Sequence, residues 1–276
     1  MINLEGKIVA EKINDDVKKK VDSIKQEPHL RIILTTGEKD ALVYTKTLIK
    51  QAEKVGINAD YVEISSGDEM VSAIEDARIS TGISGVIIQR PYPKGVDVSL
   101  VQELIPREKD VDGVGYLNMG LLFSGVDGLF PATALAVIRL LEHYDYNFRG
   151  KRAVVIGRSL AVGRPLSMLL LHRHATVTIC HSRTENLAGV VREGELVVVA
   201  VGKKHLITEN MIGVGAWVVD CGFNYDETGG PYGDCDYDGV AEIAEAITPV
   251  PGGVGPITTA VLLENVLKAH LLVHCK

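Results

Sequence analysis

An apolar run from Ala153 to Ile156 passes directly into Gly157, Arg158 and Ser159, and Gly163 follows six residues after the first glycine. A glycine turn leading from a strand into a helix that opens near Pro165 turns backbone N–H groups toward an anion. The aligned dipoles of the helix favour negative charge at the same place. The chemistry such a turn supports is the holding of a pyrophosphate. Its spacing departs from GxGxxG, and a glycine between strand and helix also serves simply as a tight turn. The end of the next strand narrows the choice. A site for NAD carries an Asp or Glu there, about 20 residues on, to bind the ribose hydroxyls. This chain has His181, Ser182, Arg183 and Thr184 instead. No acid repels a phosphate on the 2′ oxygen, and Ser182, Arg183 and Arg158 are suited to bind one. The residues therefore predict NADP over NAD, against the plainer reading that both arginines are solvated surface charges.

Positioning these residues requires an alternating scaffold, and the apolar pattern supplies one. Helical spacing runs from Lys7 to Ile24, Asp40 to Val55, Glu69 to Arg78, Thr133 to Tyr144, Pro165 to His172 and Thr258 to His274. Short runs rich in β-branched residues at Leu30 to Leu34, Ala59 to Ile64, Gly85 to Gln89, Ala153 to Ile156, Thr176 to Cys180, Leu196 to Val201 and Ala216 to Asp220 read as strands. Strand and helix in alternation imply parallel sheets whose functional loops gather at the carboxyl ends of the strands. The fold class is α/β, with a Rossmann-like second half. The glycine-rich stretch from Gly113 to Pro131 reads as the passage between domains. The last helix is too apolar for a free tail and is expected to return to the first domain.

Length and composition agree with this outline. At 276 residues, with 46% hydrophobic and 24% charged, the chain suits two globular domains. A net charge of -7 argues against nucleic acid, which needs a clustered positive field. The start, MINLEGKIVAEKINDD, lacks the basic and apolar regions of a secretory signal, and no membrane span is expected, so we expect a cytoplasmic protein. Cys180, Cys221, Cys235 and Cys275 form no CxxC pair and are expected as reduced thiols. His270 and His274 are four apart on a helix, with Cys275 adjacent, but a third ligand is not evident and no metal is expected. No GxSxG nucleophile elbow occurs.

The string VVIGRSLAVGRPLSMLLLHRHATVTICHSRT, together with ITPVPGGVGPITTAVLLEN, IIQRPYP and IPREKDVDGVGYLNMGLL, closely resembles the methylenetetrahydrofolate dehydrogenase/cyclohydrolase family over nearly the whole chain. The resemblance implies a folate-binding catalytic domain over 1–130, completed by 257–276. It implies an NADP-binding domain over 131–256, a cleft separating the two, and a homodimer. It assigns pterin binding to Asp112, with Gln89 and the helical Tyr44 beside it, although an Asp before Gly is also a common turn former. The loop around Pro251, Gly252 and Gly253 would line the substrate. Gly222, Phe223, Gly255 and Thr258 would lie near the nicotinamide.

One departure is prominent. The lysine that follows the family's tyrosine by four residues is here Leu48, with Gly56 and Ile57 keeping the register. Smaller departures are Ala41, Ala132, Arg90 and Tyr92. The implied activity is oxidation of 5,10-methylenetetrahydrofolate to the methenyl form by NADP. Hydrolysis to 10-formyltetrahydrofolate is the step that a missing lysine puts in question. Two other readings fit a Rossmann-like chain: a dehydrogenase of another small substrate, and a non-catalytic NADP-binding protein.

Overall fold

The computed structural model describes residues 1–225 and 230–274; Cys275 lies outside the described residues. The chain divides into two compact units, one built from Met1–Glu11 and Thr133–Thr258, the other from Lys12–Ala132 and Thr259–Lys276.

Along the chain, β1 (Ile2–Asn3) and α1 (Lys7–Val21) lead into β2 (His29–Thr35), α2 (Lys39–Lys54), β3 (Asn58–Ile64), α3 (Gly67–Ile79) and β4 (Gly85–Ile88). β2 lies between β3 and β4 in a parallel three-stranded sheet. A central strand covered on both faces carries a nearly continuous apolar run: Leu30, Ile32, Ile33 and Leu34 are all buried, and Arg31 among them is paired with Asp60. The core of this unit joins Ile33, Val86 and Ile88 to Met70, Ile74 and Ala77 of α3. Ser66 caps α3 by accepting from the Glu69 N–H (3.2 Å), and the Glu69 carboxylate reaches back to the Ser65 N–H (2.6 Å). That reciprocal pairing fixes where the helix begins.

After α4 (Val98–Leu104), the glycine-rich stretch expected as a passage between domains contains a helix, α5 (Tyr116–Ser124). Gly125 ends it in the left-handed region, at φ +71°. The glycine that suggested a linker is a helix stop.

The other unit follows from α6 (Ala132–His143): β5 (Arg152–Ile156), α7 (Gly163–Leu171), β6 (Thr176–Cys180), α8 (Leu187–Arg192), β7 (Leu196–Val199) and β8 (Trp217–Asp220). The short β9 (Asn224–Tyr225) and β10 (Pro231–Tyr232), α9 (Tyr237–Ile243) and β11 (Ala246–Ile247) complete it. Its six-stranded sheet has the order β1-β11-β8-β7-β5-β6, every pairing parallel. The four residues of β7, between β5 and β8, are valines and a leucine without exposed surface.

The final helix, α10 (Val254–His274), is long and apolar enough by composition to cross a membrane, but 56% of that apolar window is buried inside the protein. From Thr259 onward it belongs to the unit of the three-stranded sheet. There Asn265 donates to Val111 O and Phe130 O (both 2.9 Å), and Lys268 donates to Asp127 (2.6 Å) and Gly128 O (2.8 Å).

Candidate active site

The six-stranded unit holds the glycine turn. Gly157 follows β5 at φ +120°, and a Cβ there would stand 2.3 Å from the Ala200 carbonyl oxygen. At Gly163, the first residue of α7, a Cβ would stand 2.0 Å from Gly157 O and 2.9 Å from Arg158 N. No other residue fits either position, because the two glycines let the end of β5, the loop after β7 and the start of α7 pack backbone against backbone, which sets the path of the turn. Ser159 Oγ accepts from the Val162 N–H (3.1 Å), closing the turn before the helix.

β5 and β6 run parallel with Ile156 opposite Cys180, so the loops that carry Arg158 and Ser182 leave neighbouring strand ends. After β6, Thr184 Oγ1 accepts from His181 N–H (2.8 Å) and His181 Nδ1 accepts from Arg183 N–H (3.2 Å). The local turn occupies His181 and Thr184 and leaves the side chains of Ser182 and Arg183 exposed. Neither Arg158 nor Arg183 forms an ion pair among the described residues. Two unpaired guanidinium groups on adjacent strand ends suit a phosphate monoester.

Two buried acids that sequence reasoning missed shape the neighbouring loops. The Asp220 carboxylate, at the end of β8, accepts from the N–H groups of Gly222 (2.7 Å), Asp234 (3.1 Å) and Cys235 (2.8 Å). The Asp234 carboxylate accepts from Val201 (2.7 Å), Gly202 (3.0 Å) and Lys203 (2.8 Å). Burial nonetheless pushes the Asp220 carboxyl above the ordinary range. Gly222 is required, since its Cβ would lie 2.5 Å from the Asp234 carboxylate, and Phe223 beside it is 55% exposed. Apart from Gly222, the partners lie in loops remote in sequence, and no local signal announced them.

The proline and glycine loop also lies in this unit. Gly252 (φ +111°) accepts at its carbonyl from Gly6 N–H (2.8 Å), and a Cβ at Gly253 would meet Pro249 O at 2.8 Å, so Pro251 sits in a fixed bend. Gly255 has open space where a Cβ would be, and the Thr258 hydroxyl donates to Val254 O (3.2 Å) within α10. That hydroxyl serves its own helix.

The three-stranded unit carries Tyr44, Gln89 and Asp112. An isolated parallel bridge pairs Val86 with Asp110, and a Cβ on Gly85 would lie 2.4 Å from Val111 Cγ1. The KDVDG segment thus touches β4 at Asp110 and turns there, the Asp110 carbonyl accepting from the Gly113 N–H (3.0 Å) with Asp112 inside the turn. Each charged residue of the segment has a different fate. Lys109 Nζ donates to Ala77 O (2.8 Å), Arg78 O (3.3 Å) and Ser80 O (2.6 Å), capping the end of α3. The buried Asp110 accepts from the N–H groups of Val114 (3.2 Å) and Gly115 (2.8 Å) and from Asn118 (3.0 Å), fixing the turn into α5. Asp112 accepts no hydrogen bond among the described residues, and its carboxyl is pushed up to about 7 by burial and by Asp110, with Arg90 pulling the other way.

Gln89 extends the sheet by donating its backbone N–H to Ile33 O (2.8 Å), while its side-chain Nε2 is buried without a partner. Buried polar atoms are normally paired, so the orphaned Gln89 amide marks a place for a ligand, and the Asp112 carboxylate is a second group without a protein donor among the described residues. Tyr44 lies on α2, 40% exposed as a residue; its hydroxyl is raised to about 12 by desolvation and by the Asp112 carboxylate, with Thr259 pulling the other way. Its hydroxyl stays protonated at neutral pH. Leu48, one turn further along α2, is 1% exposed and packed in the core. Of the weighed metal candidates, His270 Nδ1 pairs instead with Ser84 Oγ (2.9 Å), and its ring stacks 4.4 Å from that of His274.

Two parallel sheets, one followed by a glycine turn at a helix start and the other by the unpartnered Gln89 amide, define a two-unit α/β protein with the strand, turn and helix order of a nucleotide-binding fold. The chain belongs to the tetrahydrofolate dehydrogenase/cyclohydrolase family: residues 131–273 match its NAD(P)-binding domain and residues 4–112 its catalytic domain. It is 41% identical to the bifunctional protein FolD of Alkaliphilus oremlandii, with 98% of each chain covered. The crystal structure of the bifunctional enzyme FolD, methylenetetrahydrofolate dehydrogenase/cyclohydrolase, from Campylobacter jejuni superposes with a TM-score of 0.95 at 36% identity, covering 98% of each chain. The Trypanosoma brucei N5,N10-methylenetetrahydrofolate dehydrogenase-cyclohydrolase, solved with NADP cofactor and inhibitor, gives 0.92 at 30% identity, covering 98% of this chain and 97% of that one.

Proposed function

We propose that this protein oxidises 5,10-methylenetetrahydrofolate to the methenyl cation with NADP. The observation that carries the reading is Asp112, a carboxylate without a hydrogen-bond donor among the described residues, in the same unit as the orphaned Nε2 of Gln89. The aminopyrimidine edge of a pterin offers two N–H donors side by side, which a carboxylate accepts together. Those donors favour the ionised form of Asp112, so binding the substrate relieves the unfavourable burial of the charge. Gln89 donates to the substrate from the end of β4, and the protonated Tyr44 hydroxyl offers another donor.

The turn of Gly157, Ser159 and Gly163 fits a pyrophosphate, while Arg158, Ser182 and Arg183 fit a 2′-phosphate. Gly222, Phe223, Gly255 and Thr258 are assigned to the nicotinamide side, and Pro251, Gly252 and Gly253 to the substrate wall, on the family resemblance. When NADP is bound, the chemistry supplied there is acceptance of a hydride. The loss of hydride from the methylene carbon leaves a cation and releases no proton, so the step needs positioning and no acid or base. The residues' task is to hold the folate in one orientation and to keep water out. The same reading includes a homodimer, on the resemblance, and a cytoplasmic setting, supported by the free thiols of Cys180, Cys221 and Cys235.

Hydrolysis of the methenyl product is a separate matter, because water must be activated and protons moved. Leu48 can do neither, and its burial in the core leaves α2 without a cation one turn beyond Tyr44. The dehydrogenase is therefore the dominant activity. Supplying methylenetetrahydrofolate with NADP or NAD, and following reduced cofactor and methenyl absorbance together, tests the whole reading. Absence of turnover with either cofactor refutes it.

A further inference from the structure

Four strands of the six-stranded sheet end side by side. Ile156 of β5 lies opposite both Cys180 of β6 and Val199 of β7, and Val199 lies opposite Asp220 of β8. The chain leaves β5 to one side for β6 and returns on the other side as β7, so the winding of the sheet reverses between β5 and β7. In an open parallel sheet a nucleotide lies in the crevice at such a reversal, outside the carboxyl ends of the strands. The walls of that crevice are the glycine turn after β5 and the loop after β7. They meet through backbone, since a Cβ on Gly157 would stand 2.3 Å from Ala200 O.

The loop after β7 is braced from a distant part of the chain. Val201 (2.7 Å), Gly202 (3.0 Å) and Lys203 (2.8 Å) donate three successive N–H groups to the Asp234 carboxylate, and Gly202 takes the left-handed region at φ +68°. Successive N–H groups that converge in this way form a concavity suited to an anion. Here the protein supplies the anion itself, on a residue without exposed surface. Asp220 places Asp234 in turn, accepting its N–H (3.1 Å) with the same oxygen that takes the Gly222 N–H (2.7 Å). Two buried carboxylates therefore tie the loop after β7 to the loop after β8.

We propose that Asp234 is a positioning residue for the cofactor, holding Val201 to Lys203 in place as the second wall of the nucleotide crevice. The inference rests on the NADP reading given above. That reading puts the 2′-phosphate at Arg158, Ser182 and Arg183, on the β5 and β6 side, and the pyrophosphate at the glycine turn. The remaining half of the dinucleotide continues in the same direction, over β7 and β8. Those are the two strands whose loops Asp234 and Asp220 fix. Asp234 acts on that half of the cofactor and has no contact with the residues assigned to the 2′-phosphate.

The test is calorimetric titration of the full-length protein with NADP and with adenosine 2′,5′-bisphosphate, a probe that carries the 2′-phosphate but neither the pyrophosphate nor the nicotinamide. Two variants are compared with the parent. Asp234→Asn keeps the shape but sets an amide N–H₂ against backbone donors. Gly202→Ala leaves the carboxylate alone and strains the loop at its left-handed residue, where the nearest atom to the added Cβ is Asn224 Oδ1 at 3.7 Å. A loop that keeps its binding path about a tenth of the time weakens apparent affinity about tenfold. Both variants are expected to lose about tenfold for NADP while binding the bisphosphate like the parent. Unchanged NADP affinity in the folded variants overturns the proposal, and so does an equal loss for both ligands, which marks a general loosening of the unit. Where Asp234→Asn does not fold, as judged by circular dichroism, Gly202→Ala decides by the same criteria. A parent protein that binds neither ligand removes the NADP reading itself, and the inference with it.

Discussion

Replacing Asp112 with Asn should make the protein more stable at alkaline pH while abolishing its turnover. Asp112 is pushed up to about 7 from an ordinary value of 3.8. Below about pH 7 the folded chain therefore keeps a proton that the unfolded chain releases near 4. Between those values the folded state binds more protons, so stability falls as pH rises through the window and stays low above it. A gap of about three units corresponds to about 4 kcal/mol as a ceiling, and water reaching the partly exposed carboxylate reduces it to about 2 kcal/mol. Asn has nearly the same shape and never carries the charge. At pH 8 the Asp112→Asn variant should gain about 2 to 4 kcal/mol in urea unfolding followed by circular dichroism, the advantage shrinking toward zero as pH approaches 4. Folate turnover should disappear in the same variant, because an amide presents one acceptor and a repelling N–H where the pterin needs two acceptors. A stability difference independent of pH, or a parent protein more stable at pH 8, would falsify the assignment of that burial penalty to Asp112.

Three further outcomes follow from the geometry. Leu48→Lys should accelerate the decay of methenyltetrahydrofolate absorbance by about a hundredfold or more, the usual value of acid–base help. The dehydrogenase rate should change little, and hydrolysis in the parent protein that keeps pace with oxidation would contradict the role given to position 48. Substituting Arg158 and Arg183 together with Ala should weaken NADP by about 1.5 to 3 kcal/mol per lost charged hydrogen bond while leaving NAD nearly unaffected; equal losses for both cofactors in calorimetry refute the 2′-phosphate site. Asn265→Ala leaves Val111 O and Phe130 O without their side-chain donor and should cost about 1 to 3 kcal/mol for each carbonyl left unsatisfied. A rise in folate KM is expected with it, since Val111 adjoins Asp112.

The strands of both sheets were legible because central parallel strands leave a nearly continuous apolar run, unbroken in Leu196 to Val199 and interrupted only by Arg31 in Leu30 to Leu34. The helix α5 was not legible. Gly113, Gly115, Gly120, Gly125 and Gly128 gave its segment the composition of a linker, yet Gly125 is the left-handed stop and Gly115 leaves room for the Asp110 carboxylate, 2.9 Å from where its Cβ would be. Residues 2 and 3 were equally hidden, since they acquire a strand partner only at Ala246 and Ile247. The glycine turn and the strand-end arginines could be read from their order along the chain. The carboxylates at Asp220 and Asp234 could not, because what makes them structural is a set of N–H donors from other loops.

The segment from Lys109 to Gly113 shows how a fold prepares one charge for chemistry by satisfying its neighbours. Lys109 is consumed by three carbonyls at the end of α3, and Asp110 by two backbone N–H groups and an asparagine. Gly113 at φ +63° comes so close to Phe130 that a Cβ would lie 2.5 Å from its carbonyl carbon, which turns the chain sharply after Asp112. Asn265 holds both sides of that turn through Val111 O and Phe130 O. Asp112 alone is denied donors, and its cost to the folded state is the counterpart of its affinity for a ligand that brings two. A site organised in this way binds and orients but moves no proton, and oxidation by hydride loss asks no more of it. A leucine at position 48 is consistent with such a site: it adds to the core and leaves the hydride step untouched.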